Sequence, residues 1–450
     1  MKAIKRKYIY TPVQVLALGF AILIIIGAIL LSLPIASQSG KITPFIDCIF
    51  TSTSAVCVTG LVTVDTGTYW TYFGKTVIML LIETGGLGFM SVATLVFFFL
   101  GKRITLKERL VMQEAMNVNS LQGLVKMVKY VLIFTFSVEA VGAVLLSTQF
   151  IPQFGIAKGI YYSVFHAVSA FCNAGFDLMG DFKSITAYAN NSVVILTIAS
   201  LVAIGGLGFY VWVEIYNSKG NKRLSVHSRV IIYTTIVLIF GGAILMFLFE
   251  MNNPYTMKGM SIKGKVLSSI FASVTPRTAG FNSIPVDKMT PAGNFLTIIL
   301  MFIGGSPGST AGGIKTATVV VIFMTVVSMV RGRDDTEIFQ MRINKETVYK
   351  SLVIFILGLA LVIAVTMILS ITEQGGVPFE YFLYEATSAF ATVGLTLGLT
   401  AKLTFLGKII ISITMYAGRV GPFTIILALA KRRNSRSGTI KYPEGKILIG

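Results

Sequence analysis

The residues of this chain that could act on a ligand lie in four similar segments, each of which ends in a glycine. The glycines are Gly60, Gly175, Gly280 and Gly394, at intervals of 115, 105 and 114 residues. Glycine permits backbone conformations that other residues avoid, and it lets the main chain approach an ion closely. The chemistry that such segments offer is coordination by backbone carbonyl oxygens, which can replace the hydration shell of a cation.

In each segment the glycine and the two residues before it form the predicted binding site. The twelve positions are Val58, Thr59, Gly60, Asn173, Ala174, Gly175, Thr278, Ala279, Gly280, Thr392, Val393 and Gly394. None of them is acidic, and Asp177 lies two residues beyond the second glycine. A calcium site, which needs several carboxylates, is therefore disfavoured. The pattern predicts a filter for a large monovalent cation and no other metal site.

A second set of glycines is repeated after each segment, beginning at Gly85, Gly205, Gly304 and Gly418. The third copy continues as a run over 304–316 with five glycines and one proline. This run lies within an apolar stretch that, as one helix, would be about twice as long as the membrane is thick. The run cannot remain helical, and irregular backbone at membrane depth is tolerated only against a cavity. The sequence predicts an intramembrane gating loop below the filter.

Arg419 is the second component of the predicted gate, because it occupies the position that a glycine holds in the other three copies. A charged residue within a span is costly and is functional by default. We expect its guanidinium to bond the loop's carbonyls, with Glu83 as a candidate counter-charge; a purely structural link is the alternative. The predicted gate residues are Gly304, Gly305, Ser306, Gly308, Ser309, Thr310, Gly312, Gly313, Lys315 and Arg419.

Enzymatic motifs can be matched to the same run, but their contexts are wrong. Residues 304–308 fit G-x-S-x-G, yet no strand precedes them and both histidines lie elsewhere. Residues 308–316 approach a phosphate-binding loop, but Ile314 separates the last glycine from Lys315. The three cysteines and two histidines lack metal-ligand spacing. The chain is predicted not to be an enzyme and to have no catalytic residues.

The elements that must position these residues are membrane helices. The chain has 450 residues, of which 54% are hydrophobic and only 13% are charged, which excludes an ordinary soluble protein. Eight apolar runs lie at about 13–34, 73–100, 127–150, 190–216, 229–249, 292–330, 347–371 and 403–430. Shorter stretches between paired runs, at 45–56, 159–171, 265–275 and 378–391, are too short to cross the membrane. The predicted fold is all-α and multi-pass, with eight transmembrane helices and four re-entrant pore loops in pseudo-fourfold arrangement.

Most of the 38 basic residues lie on one side of these spans, which predicts that both termini are cytoplasmic. The net charge of +19 is thereby explained without nucleic acid. The basic tail is interpreted as a topology signal; its basic residues include Lys431, Arg432, Arg433 and Arg436. The alternative is that the tail docks an acidic cytosolic partner or anionic membrane lipid. The predicted boundaries are a basic N-terminus at 1–12, repeats at 13–110, 111–222, 223–335 and 336–431, and a basic tail at 432–450.

On these four segments in register, the whole chain resembles the potassium-translocating membrane subunits of the Trk/Ktr/HKT superfamily, most closely its KtrB members. The resemblance implies a plasma-membrane pore that binds K⁺ only at the filter, and it assigns the 304–316 loop as the gate. A glycine at the first filter position, here Gly60, is that family's usual mark of potassium selectivity. The resemblance also implies a homodimer and a KtrA-like cytosolic ring that carries the nucleotide, with no cofactor in this chain. The alternative function is a secondary transporter that couples K⁺ to Na⁺ or H⁺, with Glu83 or Glu139 as proton carriers.

Overall fold

The computed structural model describes residues 11–88, 91, 106–116, 123–218, 224–373 and 375–421. The predicted basic N-terminus, apart from residues 11 and 12, and the predicted basic tail lie outside the described residues. The repeat boundary at 222 does so too, and all the repeat boundaries remain predictions.

Four long helices form the outer layer and are called the outer helices. They span Pro12–Ser32, Leu124–Phe154, Val226–Glu250 and Lys345–Thr372. Each is long and apolar enough to cross a membrane. At 1.5 Å per residue, the shortest of them, with 21 residues, is about as long as the hydrocarbon core is thick.

Each outer helix is followed by a shorter pore helix. The pore helices span Phe45–Val56, Ile156–Phe171, Ile262–Val274 and Phe379–Ala391. These ranges agree closely with the short stretches that the sequence analysis identified. They surround the centre of the protein, where large aromatic side chains such as Phe50, Phe165, Phe271 and Tyr384 are fully buried. Each pore helix ends a few residues before one of the four shared glycines.

An inner helix completes each unit. The inner helices span Tyr72–Leu87, Ser192–Gly206, Pro291–Phe302 and Phe405–Val420. Their first turns are capped by the side chains of Thr71, Asn191, Thr290 and Thr404, which accept hydrogen bonds from backbone N–H groups. These caps fix where each inner helix begins.

Interruptions of the inner helices are not confined to the third unit. Three of them end at a glycine with positive φ, namely Gly88, Gly208 and Gly421. After Gly208 the chain continues as the helix Phe209–Ser218, which is bent by 90° from the helix before it. In the third unit a loop separates the inner helix from its continuation, Thr316–Val330. Among the described residues, four helices are long and apolar enough to cross a membrane, or five if the bent pair counts as one span; the eight spans remain a prediction.

The remaining elements connect these units. They are the helices Thr66–Tyr69 and Leu106–Met116, single 3₁₀ turns at Pro34–Ala36, Thr186–Tyr188, Val286–Lys288 and Thr400–Lys402, and two strands, Glu337–Ile338 and Met341–Arg342. The strands pair antiparallel, with Glu337 opposite Arg342. This small hairpin is the one departure from an all-helical fold in the part of the chain that the structure describes.

Candidate functional site

The four filter segments share one unusual backbone conformation. The residue two before each glycine has a positive φ, and so has the glycine itself, whereas the residue between them does not. The positive angles are 58° at Val58, 60° at Asn173, 70° at Thr278 and 52° at Thr392. A left-handed conformation costs a non-glycine residue about 1–3 kcal/mol and persists only where its surroundings enforce it. Because this conformation recurs in all four segments, the segments follow the same backbone path. Along this path residues with positive φ alternate with a residue without it, and the alternation turns successive carbonyls toward one side.

The four segments close into a ring in chain order. Each glycine lies so near the next segment that a side chain on it would overlap the carbonyl oxygen of the residue before the next glycine. A Cβ would lie 2.5 Å from that oxygen for Gly60 with Ala174, 2.8 Å for Gly175 with Ala279, 2.5 Å for Gly280 with Val393 and 2.2 Å for Gly394 with Thr59. Because the fourth contact returns to the first segment, the four segments surround one axis.

A hydroxyl near the end of each pore helix holds its filter segment in place. In two units the hydroxyl accepts the glycine N–H, and in the other two it donates to a carbonyl just beyond the glycine. The pairs are Ser54 with Gly60 at 3.0 Å, Ser388 with Gly394 at 3.1 Å, Ser169 with Phe176 at 2.7 Å and Thr275 with Phe281 at 2.6 Å. These residues are not among those predicted from the sequence, although three of them are serines that lie six residues before the filter glycine.

The ring is not chemically uniform. Asn173 brings an amide to a position where the other units have valine or threonine. In the orientation that satisfies this amide, its NH2 group donates to the carbonyls of Ala170, Phe171 and Val202, each at 3.2 Å, within the second unit. In the third unit Arg277 is buried, and its nearest side-chain partner is Thr235, at 3.4 Å.

The predicted gating loop folds back on itself between Ile303 and Lys315. The Gly304 N–H donates to the Ile314 carbonyl at 2.9 Å, and the Thr316 N–H donates to the Gly305 carbonyl at 3.0 Å. A Cβ on Gly304 would lie 2.2 Å from the Gly312 carbonyl oxygen. The glycines are thus required for the two arms of the loop to pack against each other.

The loop also fills the break in the second inner helix. The Ser306 N–H donates to the Gly206 carbonyl at 3.0 Å, and the Phe209 N–H donates to the Gly308 carbonyl at 2.8 Å. These bonds supply partners for main-chain groups that the break would leave unpaired at membrane depth. On the other side, a Cβ on Gly312 would lie 2.1 Å from the Thr392 hydroxyl. The loop therefore lies against the filter.

The structure brings Arg419 to this loop. Its guanidinium donates to the carbonyls of Thr310 and Gly85, and to that of Gly86 at 3.2 Å. It thus bridges the gating loop and the end of the first inner helix. The Nζ of Lys315 donates within the loop, to the Ala311 carbonyl at 2.5 Å.

The predicted pairing of Arg419 with Glu83 is wrong. Among the described residues Arg419 makes no ion pair, and Glu83 instead contacts Cys172. The reason is geometric: Arg419 reaches the carbonyls at the C-terminal end of the first inner helix, where the helix dipole and unpaired carbonyls already provide negative potential. Carbonyls rather than a carboxylate thus surround the guanidinium.

The inner helices pack against the pore helices through glycines at one repeated position. Gly85, Gly205 and Gly418 abut the carbonyls of Val56, Phe171 and Phe390, where a Cβ would lie 2.0 Å or less from the oxygen. Each of these carbonyls belongs to the residue four before the filter glycine. The third unit differs, because its Gly304 faces the gating loop.

Two acidic residues lie beyond the ring, on the side opposite the gating loop. Asp47 accepts a hydrogen bond from Lys408 at 2.7 Å, and this largely buried ion pair joins the first pore helix to the last inner helix. Asp177 is half-buried and follows the second filter glycine. The pKa of Asp177 is raised from 3.8 to about 7, mainly because the carboxyl is buried. The hydrogen bond from the Met179 N–H lowers this pKa, whereas the negative charge of Asp65 raises it.

Comparison with known proteins gives the chain a family. The TrkH family model, described as a cation transport protein, matches residues 7–438. The potassium/sodium uptake protein NtpJ of Enterococcus hirae is 45% identical over 98% of this chain and 97% of its own length. The Ktr system potassium uptake protein B of Bacillus subtilis is 43% identical, over 98% of this chain and 97% of its own length.

The crystal structure of the potassium transporter TrkH from Vibrio parahaemolyticus has the same fold. It has a TM-score of 0.73 at 17% identity, over 95% of this chain and 87% of that chain. The resemblance that the filter segments indicated is thus confirmed. With its long apolar helices, the chain is a membrane protein and belongs to the TrkH family of cation transport proteins.

Proposed function

We propose that the chain is the potassium-translocating subunit of a gated potassium uptake system. The observation that carries this proposal is the closed ring of four filter segments, in which each glycine abuts a carbonyl of the next segment. Carbonyls arranged around one axis, with no acidic side chain in the twelve filter positions, suit a dehydrated monovalent cation. Two relatives that match over nearly their full length are named as potassium uptake proteins, which supports K⁺ as the transported ion.

In this proposal the protein has eight spans and four re-entrant pore loops in the plasma membrane. The inner helices, although broken at membrane depth, serve as the second span of each unit, since a broken helix is tolerated where it faces a pore. Both termini are cytoplasmic, which the distribution of basic residues supports. The filter then faces outward and the gating loop lies on its cytoplasmic side.

Ion flow is gated by the 304–316 loop together with Arg419. The loop lies against the filter residue Thr392, and Arg419 connects it to the first inner helix. Withdrawal of the loop breaks these hydrogen bonds and also moves a positive charge away from the path of the cation.

The test of conduction is potassium flux into liposomes that contain the purified chain. We expect a current that reverses at the potassium equilibrium potential and does not shift when a sodium or proton gradient is imposed. A reversal potential that follows the sodium or proton gradient would show coupled transport instead. That second candidate deserves the same assay because one relative is named a potassium/sodium uptake protein.

The gate is controlled by a separate cytosolic partner, a KtrA-like ring that binds the nucleotide, and the chain acts as a homodimer. Two relatives are named as protein B of a Ktr system, which supports a multicomponent assembly. Neutralising Lys431, Arg432, Arg433 and Arg436 together should weaken binding of such a ring more than membrane insertion. Unchanged ring binding at equal salt would assign the tail to topology or to contact with membrane lipid.

A further inference from the structure

Three side chains that the proposed function does not use meet behind the second filter segment. Cys172, Glu83 and Glu139 each place one potential ligand atom within 4.8 Å of the others. The Sγ of Cys172 lies 3.4 Å from Oε2 of Glu83 and 4.0 Å from Oε1 of Glu139. The three residues come from the second pore helix's C-terminal cap, the first inner helix and the second outer helix. Tertiary packing alone therefore creates the cluster.

The cluster contains a buried polar atom that lacks an ordinary hydrogen-bond donor. Among the described residues, Oε1 of Glu83 is shielded from solvent and accepts no hydrogen bond from a neutral or basic group, although its side chain points to the cluster through Oε2 and its carboxyl can share a proton with that of Glu139. Glu139 is 6% exposed, and no lysine or arginine forms an ion pair with either carboxyl among the described residues. Two adjacent buried carboxylates cannot both stay ionised without a cation. The site is thus built for a proton or for a positive ion.

We propose that the cluster is a binding site for a soft divalent metal ion of the zinc or cadmium class. The sulfur ligand distinguishes such ions from magnesium and calcium, which prefer oxygen ligands only. In a tetrahedral zinc site with one thiolate and carboxylate ligands, sulfur and oxygen lie about 3.5 Å apart. The two sulfur–oxygen distances in the cluster bracket this value. Three protein ligands leave the fourth position open for water or for an incoming ion.

The charge balance also suits a divalent ion. If the two carboxyls share one proton and the thiol keeps its own, a metal ion that displaces both protons leaves the net charge of the cluster unchanged. The low-dielectric site therefore gains no net charge on binding. Glu83 retains partial exposure, which provides a path to the site.

A bound metal would act on the filter and the gate together. Cys172 directly precedes Asn173, whose left-handed backbone begins the second filter segment. A Cβ on Gly86 would lie 2.6 Å from the Cys172 sulfur, and the Gly86 carbonyl accepts a hydrogen bond from Arg419. Coordination would fix these neighbours relative to each other, so we expect occupancy to slow ion flux.

The chain provides its own matched control for this site. Cys57 occupies the same position in the first filter segment, three residues before the glycine, and it too is buried. Within the described ranges, no pair of carboxylates or histidines completes a set of metal ligands around it. The site is therefore specific to the second unit.

The test is titration of the purified, detergent-solubilised chain with cadmium chloride, read by the absorption of the sulfur-to-cadmium charge-transfer band and by bound metal per chain. We expect one Cd²⁺ per chain, which zinc chloride displaces. Glu139→Gln and Cys172→Ser should each weaken binding at least about tenfold, and the second should abolish the band. The Cys48→Ser/Cys57→Ser double variant should bind like the parent, because Cys172 is then the remaining cysteine.

Loss of the band in that double variant, or a parent protein that takes up no stoichiometric Cd²⁺, would overturn the proposal and leave the cluster as a proton-sharing carboxyl pair. The parent measurement does not depend on whether any variant folds. Both readouts report metal binding without ion flux, so their failure is distinguishable from failure of the proposed transport function.

Discussion

Replacing Gly60 with serine tests whether the ring glycines set the position of the filter carbonyls. Gly60 has a φ of +95°, and a Cβ on it would lie 2.5 Å from the carbonyl oxygen of Ala174. To restore an ordinary contact of 3.4 Å, that oxygen must retreat by about 0.9 Å. Gly398 is a matched control, because its φ is +93° but no atom lies within 4 Å of its Cβ position.

The two variants share one energetic cost and differ in the other. Both force a side chain into a left-handed conformation, at about 1–2 kcal/mol. Only Gly60→Ser displaces a filter carbonyl. With about half an elementary charge on the oxygen and an ion about 3 Å away, the retreat weakens the attraction by about 0.6 kcal/mol at a dielectric of ~20. Potassium binding therefore falls roughly threefold, since about 1.4 kcal/mol is tenfold.

The assay compares potassium and sodium uptake by liposomes that contain the parent, Gly60→Ser or Gly398→Ser. We expect the potassium-to-sodium ratio to drop about threefold for Gly60→Ser, because a smaller ion that does not span the ring depends less on the displaced oxygen. Gly398→Ser should keep the parental ratio at a similar loss of thermal stability. A Gly60→Ser protein that conducts with the parental ratio would refute the placement of Gly60 in the filter.

Three further perturbations follow from the same contacts. Arg419→Ala should raise potassium flux by the isolated chain roughly a hundredfold, because removing a charge about 6 Å from the ion path is worth about 3 kcal/mol at a dielectric of ~20. Deletion of Gly308–Gly313 should also raise this flux, because it removes the loop that lies against the filter. Normal folding of both variants without faster flux would place the gate elsewhere. Lys408→Met should lower the free energy of unfolding by about 3 kcal/mol, because it leaves the Asp47 carboxylate largely buried and unpaired. The Lys408→Met/Asp47→Asn double variant should recover much of the lost stability, measured by thermal unfolding. Equal melting temperatures of the single and double variants would contradict this role of the ion pair. Because the pKa of Asp177 is raised to about 7, its carboxyl is neutral below that pH and ionised above it. The ionised carboxylate attracts cations, so potassium influx should increase as external pH rises through about 7. Asp177→Asn should make influx independent of pH in this range, and an unchanged profile would exclude this carboxyl.

Local patterns in the sequence were sufficient for much of the fold. The predicted pore helix at 45–56 has the same bounds in the structure, and the predicted one at 378–391 differs by a single residue. Both are set by features within a few residues: a proline before the helix and a glycine-containing segment after it. The family also followed from these segments, because four copies in register form a pattern that packing alone does not produce.

The inner helices show where such reasoning ends. Their apolar runs predict continuous spans, because hydropathy does not register a single residue with positive φ. Gly88, Gly208 and Gly421 nevertheless end the helices, and the 90° bend after the second is set by tertiary contacts with the gating loop. Helix propensity at a glycine is weak enough that such contacts decide between a continuous and a broken helix.

The sequence by itself determined which residues lie at the ring and in the glycine-rich loop, because repetition at a fixed spacing places equivalent residues at equivalent levels around an axis. Only the tertiary structure decided their partners. It closes the ring from Gly394 to Thr59, across more than three hundred residues, and it turns Arg419 to carbonyls while Glu83 meets Cys172. The physical reason is that a repeat fixes the height of a residue, whereas the rotation of each helix about its own axis, set by packing, fixes which neighbour its side chain reaches.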